Sequence, residues 1–139
     1  MNETTETHRI VATLVPEDRR LEILPRYFGK HMIRAEVAVY TAMSSLCATY
    51  RGGFWDYVEL SNDAFYMAPR LEGPLAITCD GNGYDGEMSS DAAGIVATLF
   101  ALNAMAWTTE DAKFTDLYHR LLGFVPSHPE AREIFAAID

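Results

Sequence analysis

Carboxylates are the residues in this chain whose spacing most invites a chemical reading. Glu72, Asp80, Asp85, Glu87 and Asp91 gather around a glycine-rich turn, and Glu110 and Asp111 follow an apolar run. The forty-two residues from Leu71 to Ala112 thus hold seven carboxylates and no lysine or arginine. Such a block projects a negative field without a local counter-charge, which favours a cation or a basic partner. A calcium loop of the EF-hand type needs Asp or Asn at its fifth position and glycine at its sixth. Counted from Asp80 those places hold Tyr84 and Asp85, so that pattern fails. A non-standard metal site or a small hydrolytic enzyme built on the Asp80 to Glu87 turn is the alternative reading. It competes with a hairpin turn whose glycines supply positive φ.

Other chemistries find less support. The histidines, at positions 8, 31, 119 and 128, stand singly without a zinc-binding spacing. Gly81 and Gly83 lack the third glycine of a dinucleotide fingerprint and lie between two strand patterns. Ser89 and Ser90 read as helix caps, and no G-x-S-x-G occurs. No complete set of acid, base and nucleophile is visible, so the chain is read as a non-enzyme without cofactor or metal.

The chain has 139 residues, 20 acidic and 11 basic, with a formal charge of −9. Residues 1 to 70 carry nine acids and eight bases, and residues 71 to 139 carry eleven acids and three bases, so nearly all the excess sits in the second half. Direct nucleic-acid binding is not expected, because a phosphate backbone calls for clustered Lys and Arg. The aromatic group Phe54, Trp55, Tyr57, Phe65 and Tyr66 reads as sheet core for the same reason, since stacking platforms work inside positive grooves. Cys47 and Cys79 read as small buried thiols, which fits a reducing cytoplasm. No secretory signal opens the chain. The apolar run Ala92 to Trp107 is sixteen residues against the roughly 20 that span a bilayer, so it reads as a buried core helix.

The elements that must position these residues follow from periodicity. Ile10 to Val15 reads as extended, and Pro16 with Glu17 and Asp18 opens a short helix that Pro25 should stop near Leu24. From Lys30 to Tyr50 the spacing is helical, with Ile33, Val37, Tyr40, Ser44 and Cys47 as the expected buried stripe, widened by Met32, Val39, Met43, Leu46 and Tyr50, and Arg34, Thr41 and Ser45 opposite. Phe54 to Val58, Ala64 to Ala68 and Leu75 to Cys79 alternate as three strands of one antiparallel meander, with Tyr84 to Met88 as a possible fourth. Ser89, Ser90 or Asp91 caps the apolar helix, Thr108 or Thr109 caps the next, whose stripe is Phe114, Leu117, Leu121 and Leu122, and Gly123 stops it. A last short helix buries Ile134, Phe135 and Ile138. The fold class is therefore α+β, a small three- or four-stranded antiparallel meander packed against several helices. Residues 1–139 are read as a single domain, with 1–7 expected to be disordered.

The strings Gly52-Gly-Phe-Trp-Asp-Tyr57, Leu60-Ser-Asn62, Phe65-Tyr-Met-Ala-Pro69, Gly81-Asn-Gly-Tyr-Asp-Gly86 and Ser90 through Asn103, with Leu24 through Gly29 and Glu133 through Asp139, together resemble the ArdB/KlcA antirestriction family. The likeness keeps its order over nearly the whole chain; the extreme N-terminus and the stretch from Thr108 to Ala131 depart from it. The resemblance implies a cytoplasmic protein of plasmids or other mobile elements that protects incoming DNA from type I restriction-modification enzymes. It implies no catalysis or cofactor, an α+β fold, and as partner the restriction complex or an associated host factor. No active residues can be carried across from the family. The candidate partner-binding residues are therefore the acids Asp80, Asp85, Glu87 and Asp91, with Asp139, whose side chain and terminal carboxylate place two charges on one residue. No membrane is expected, and the chain is read as a monomer or weak homodimer.

Overall fold

The structure, a computed structural model, describes residues 9–139; the expectation for residues 1–7 lies outside them. Strands β1 (Ala12–Leu14), β2 (Trp55–Leu60) and β3 (Ala64–Pro69) form one antiparallel sheet in that order, and β4 (Leu75–Cys79) pairs with β5 (Tyr84–Met88) in a second. Around them lie α1 (Arg20–Phe28), α2 (Met32–Leu46), α3 (Ser90–Thr109), α4 (Ala112–Phe124) and α5 (Ala131–Ile138). The α+β class stands as read. A three-stranded antiparallel sheet stands too, but its membership differs from expectation: the third strand is β1, while β4 leaves to build a hairpin with β5. Three residues long and exposed throughout, β1 carries no buried stripe; its backbone closes the ladder on β2.

Helix α3 is the post around which the rest assembles, packing against α2, α4, α5 and β3. Alanine, leucine and methionine make it a strong helix former. Ser89 caps it, its hydroxyl accepting from the Ala92 N–H at 3.1 Å, as the sequence suggested. It ends at Glu110, which turns left-handed at φ 57°. By length and composition α3 could cross a membrane, yet every residue from Ala92 to Leu99 is buried inside the protein.

Two of its residues explain how closely it approaches the sheet. On the edge of β3 not paired with β2, the Met67 N–H donates to Thr98 Oγ1 at 3.1 Å, and the Thr98 hydroxyl donates back to the Met67 carbonyl at 3.3 Å. One buried hydroxyl thus satisfies both groups of an otherwise orphaned edge residue. One turn earlier, a Cβ on Gly94 would stand 2.3 Å from the Met67 carbonyl oxygen and 2.5 Å from the Ala68 Cα, so only glycine permits this contact.

Several helix boundaries differ from expectation. Pro25 lies inside α1, because Ile23, Tyr27 and Phe28, on both sides of it, are buried, and Tyr27 and Phe28 pack on Phe65. That burial outweighs the missing amide hydrogen bond. Asp111, not Thr108 or Thr109, caps α4, accepting from the Lys113 N–H at 3.0 Å; the two threonines belong to α3 and bond back to Ala104 and Met105 carbonyls. Gly123 stays helical, and α4 runs on to Phe124. The buried face of α2 is Ala35, Val39, Met43 and Leu46, whereas Ile33 and Val37 are exposed. In α5, Ile134 is buried, Ile138 packs partly buried against the core, and Phe135 is 39% exposed.

Candidate functional site

The hairpin of β4 and β5 displays the acids. Register pairs Ala76 with Glu87 and Thr78 with Asp85, and all four are exposed, while Leu75, Ile77 and Met88 point inward. The alternation of a half-buried strand therefore puts Asp85 and Glu87 on one outer face. Asp80 is exposed at the turn that joins the strands. In that turn Asn82 Nδ2 donates to the Ala137 carbonyl at 2.8 Å and to the Asp139 carbonyl at 3.1 Å. Asp139 is thereby held beside the hairpin, although fifty-seven residues separate it from Asn82. Asp80 and Asp139 lie by the turn, Asp85 and Glu87 along the outer face of β5, and none of the four forms an ion pair among the described residues.

Asp91 is different. It accepts from the Tyr66 hydroxyl at 2.8 Å and from His128 Nε2 at 2.7 Å, tying β3, the first turn of α3 and the segment before α5. His128 Nδ1 accepts from the Glu130 N–H at 3.0 Å, so its proton resides on Nε2, facing Asp91. Burial alone would raise the Asp91 carboxyl, but the hydrogen bonds from His128 and Tyr66 outweigh it and hold the group below its ordinary range. Burial, reinforced by the Asp91 charge, pushes the Tyr66 phenol strongly up. Sequence spacing gave no hint of this cluster, because Tyr66 and His128 lie 25 and 37 residues from Asp91.

Next to it, Ser89 gives its hydroxyl proton and its N–H to the Glu130 carboxylate. Serine, histidine and carboxylates are therefore close, yet not arranged for nucleophilic attack. Ser89 bonds Glu130 rather than His128, and both nitrogens of His128 are engaged within the fold. Among the described residues no three His, Cys, Asp or Glu side chains are grouped to hold a metal ion.

The aromatic group divides as well. Trp55, Tyr57, Phe65 and Tyr66 are buried in the core; Phe54 is partly exposed, with the Arg20 and Arg70 guanidinium groups each 4.3 Å from its ring centre.

The class that the structure defines is an α+β scaffold whose hairpin acids Asp80, Asp85 and Glu87 form no ion pair among the described residues. Comparison with known proteins gives the class its family. The family model described as "Antirestriction protein" matches residues 48–139, and this chain belongs to that family. Antirestriction protein KlcA from Escherichia coli is 52% identical over 137 residues, covering 94% of each chain. A second Escherichia coli KlcA is 48% identical over 140 residues, covering 97% of this chain and 99% of the relative. A solved structure from work on KlcA and ArdB superimposes with a TM-score of 0.88 at 51% identity, covering 94% of this chain and 95% of the other. KlcA and ArdB are described there as having a novel fold and antirestriction activity against type I DNA restriction systems in vivo but not in vitro.

Proposed function

We propose that this protein protects incoming plasmid or mobile-element DNA by inhibiting type I restriction-modification enzymes, through non-catalytic binding in the cytoplasm. The observation that carries the reading is the near-complete match, in sequence and fold, to KlcA and ArdB, whose activity is against those systems. The engaged state of Ser89 and His128 supports binding over catalysis. Free thiols at Cys47 and Cys79 suit a reducing compartment, and a single hydrophobic cluster suits action as one domain. An inhibitor that works in vivo but not in vitro needs something that the cell supplies. That favours a host factor, or a state of the restriction complex, as the direct partner. The protein acts without contacting DNA directly.

The exposed acids Asp80, Asp85, Glu87 and Asp139 are the contact surface in this reading, and Asp91 serves it by holding the start of α3. The test is transfer of an unmodified plasmid into a host with a type I system. The triple variant Asp80→Lys, Asp85→Lys, Glu87→Lys should lose protection down to the level of a host lacking the protein, with its thermal melting unchanged. Full protection by the triple variant removes the acidic surface from the mechanism. Failure of the unaltered protein to protect removes the antirestriction reading itself.

A further inference from the structure

One rim of the first sheet is covered and the other is open. Thr98 occupies the backbone groups of Met67 on the outer side of β3, but no strand among the described residues pairs with the outer side of β1. The Val15 N–H donates to the Tyr57 carbonyl and the Ser61 N–H to the Val11 carbonyl, each at 2.9 Å, so Val11 and Val15 turn their backbone groups toward β2. Antiparallel pairing alternates, and Ala12 and Leu14 therefore point their N–H and carbonyl groups outward. All of β1 is exposed, Leu14 to 59%, and no charge or proline stands between Val11 and Val15. Apart from short length and Pro16 at its end, this rim lacks the guards that keep other strands away.

Charge at the two ends says which strand fits. Arg9 precedes β1, and Glu17 and Asp18 follow Pro16; all three are exposed, and none forms an ion pair among the described residues. The charges beside Val11 and Thr13 are already matched, Glu59 by Arg19 and Asp63 by Arg26. An antiparallel newcomer must therefore bring an acid past Arg9 and a base past Glu17 and Asp18. A second copy of this strand, turned about a two-fold axis, carries both in that order. We infer that β1 pairs antiparallel with β1 of a second copy and joins the two sheets into one. Centred on Thr13, Ala12 of each copy exchanges backbone hydrogen bonds with Leu14 of the other, and the two threonines lie side by side. Pro16, which has no N–H, ends the ladder. So short a contact buries less than the ~1,200 Å2 of a lasting interface, and the pair is transient, with a Kd on the order of 0.1–1 mM. The inference goes beyond the antirestriction reading and stands or falls without it.

Sedimentation equilibrium of the full chain from ~10 µM to ~1 mM should show reversible dimerisation, and the amide resonances of Ala12, Thr13 and Leu14 should shift over the same range. Leu14→Pro removes an N–H that β2 does not use, so it should weaken association at least ~tenfold with the melting temperature kept. Arg9→Glu and Glu17→Arg each set like charges across the axis, and each alone should weaken association. Mixed in equal amounts, these two single variants should associate with one another as the parent does, because each offers the charge that the other lacks. That rescue separates a second copy from a foreign strand, which mixing leaves unaffected. Should Leu14→Pro lower the melting temperature, the two charge variants, exposed and outside the ladder, decide the matter. A chain that stays monomeric at ~1 mM overturns the assignment and leaves the rim to a strand of another protein. Association that a folded Leu14→Pro leaves unchanged overturns it, as does a mixture no stronger than its components.

Discussion

Gly94 and Thr98 show how much of this fold depends on single atoms. A methyl group at position 94 meets backbone atoms of Met67 and Ala68, which cannot step aside as a flexible side chain would. Gly94→Ala should therefore cost at least the ~1–3 kcal/mol typical of overpacking. Thr98→Val keeps the shape but leaves the Met67 N–H and carbonyl buried and unpaired, at a cost of about 1–3 kcal/mol. Thr98→Ser retains the hydroxyl and should stay close to the parent. Urea midpoints at constant slope measure all three. Asp91 adds a pH dependence whose sign follows from its lowered folded pKa. The stability it contributes is present above its ordinary value of 3.8 and is lost as pH falls through the lower folded value. Melting temperature should thus decline on the acid side, and Asp91→Asn should flatten that decline; an unchanged acid limb would show that Asp91 does not bear on it.

At the scale of elements, the hairpin and α5 are coupled through Asn82. Asn82→Ala removes both bonds to the end of the chain, and amide exchange should rise at residues 135–139 and in the hairpin turn, while global stability falls by only about 1 kcal/mol. Unaltered exchange at the end of α5 would show that its packing, not Asn82, fixes it. Strands β4 and β5 were legible residue for residue, because Gly73-Pro74, the glycine turn and Ser89 punctuate a clear alternation. The place of β1 was not legible, since it enters the sheet by its backbone and carries no apolar signature. Helix α2 misled for a different reason. It bears two apolar stripes of helical spacing, and the chain alone cannot say which one faces the core. The buried one contains Ala35, Val39, Met43 and Leu46, and the other lines an open groove between α2 and α3. The acids were legible as a group by composition, but the separation of Asp91 from the rest needed Tyr66 and His128 brought in from distant segments.

Across the whole molecule, charge and apolar surface are sorted rather than mixed. The β4–β5 hairpin carries acids without ion-pair partners among the described residues, and the α2–α3 trough is lined by apolar side chains, exposed Ile33 and Val37 among them, with Arg34 its one charged residue. Long-range steering by the acids weakens with salt over roughly 10 Å, whereas apolar docking survives it. The two surfaces therefore give an encounter with different sensitivities to ionic strength.

The Thr98 clasp on β3 also sets an order of events during synthesis. Its partner atoms lie thirty-one residues apart, so the ribosome delivers the sheet before the helix that closes it. Until α3 arrives, the outer rim of β3 is an open template for any neighbouring nascent chain, the kind of exposure that seeds insoluble aggregates. Slow translation through the hairpin prolongs that interval and high expression brings more such chains together, so yield of this protein should depend on how quickly its own second half reaches the first.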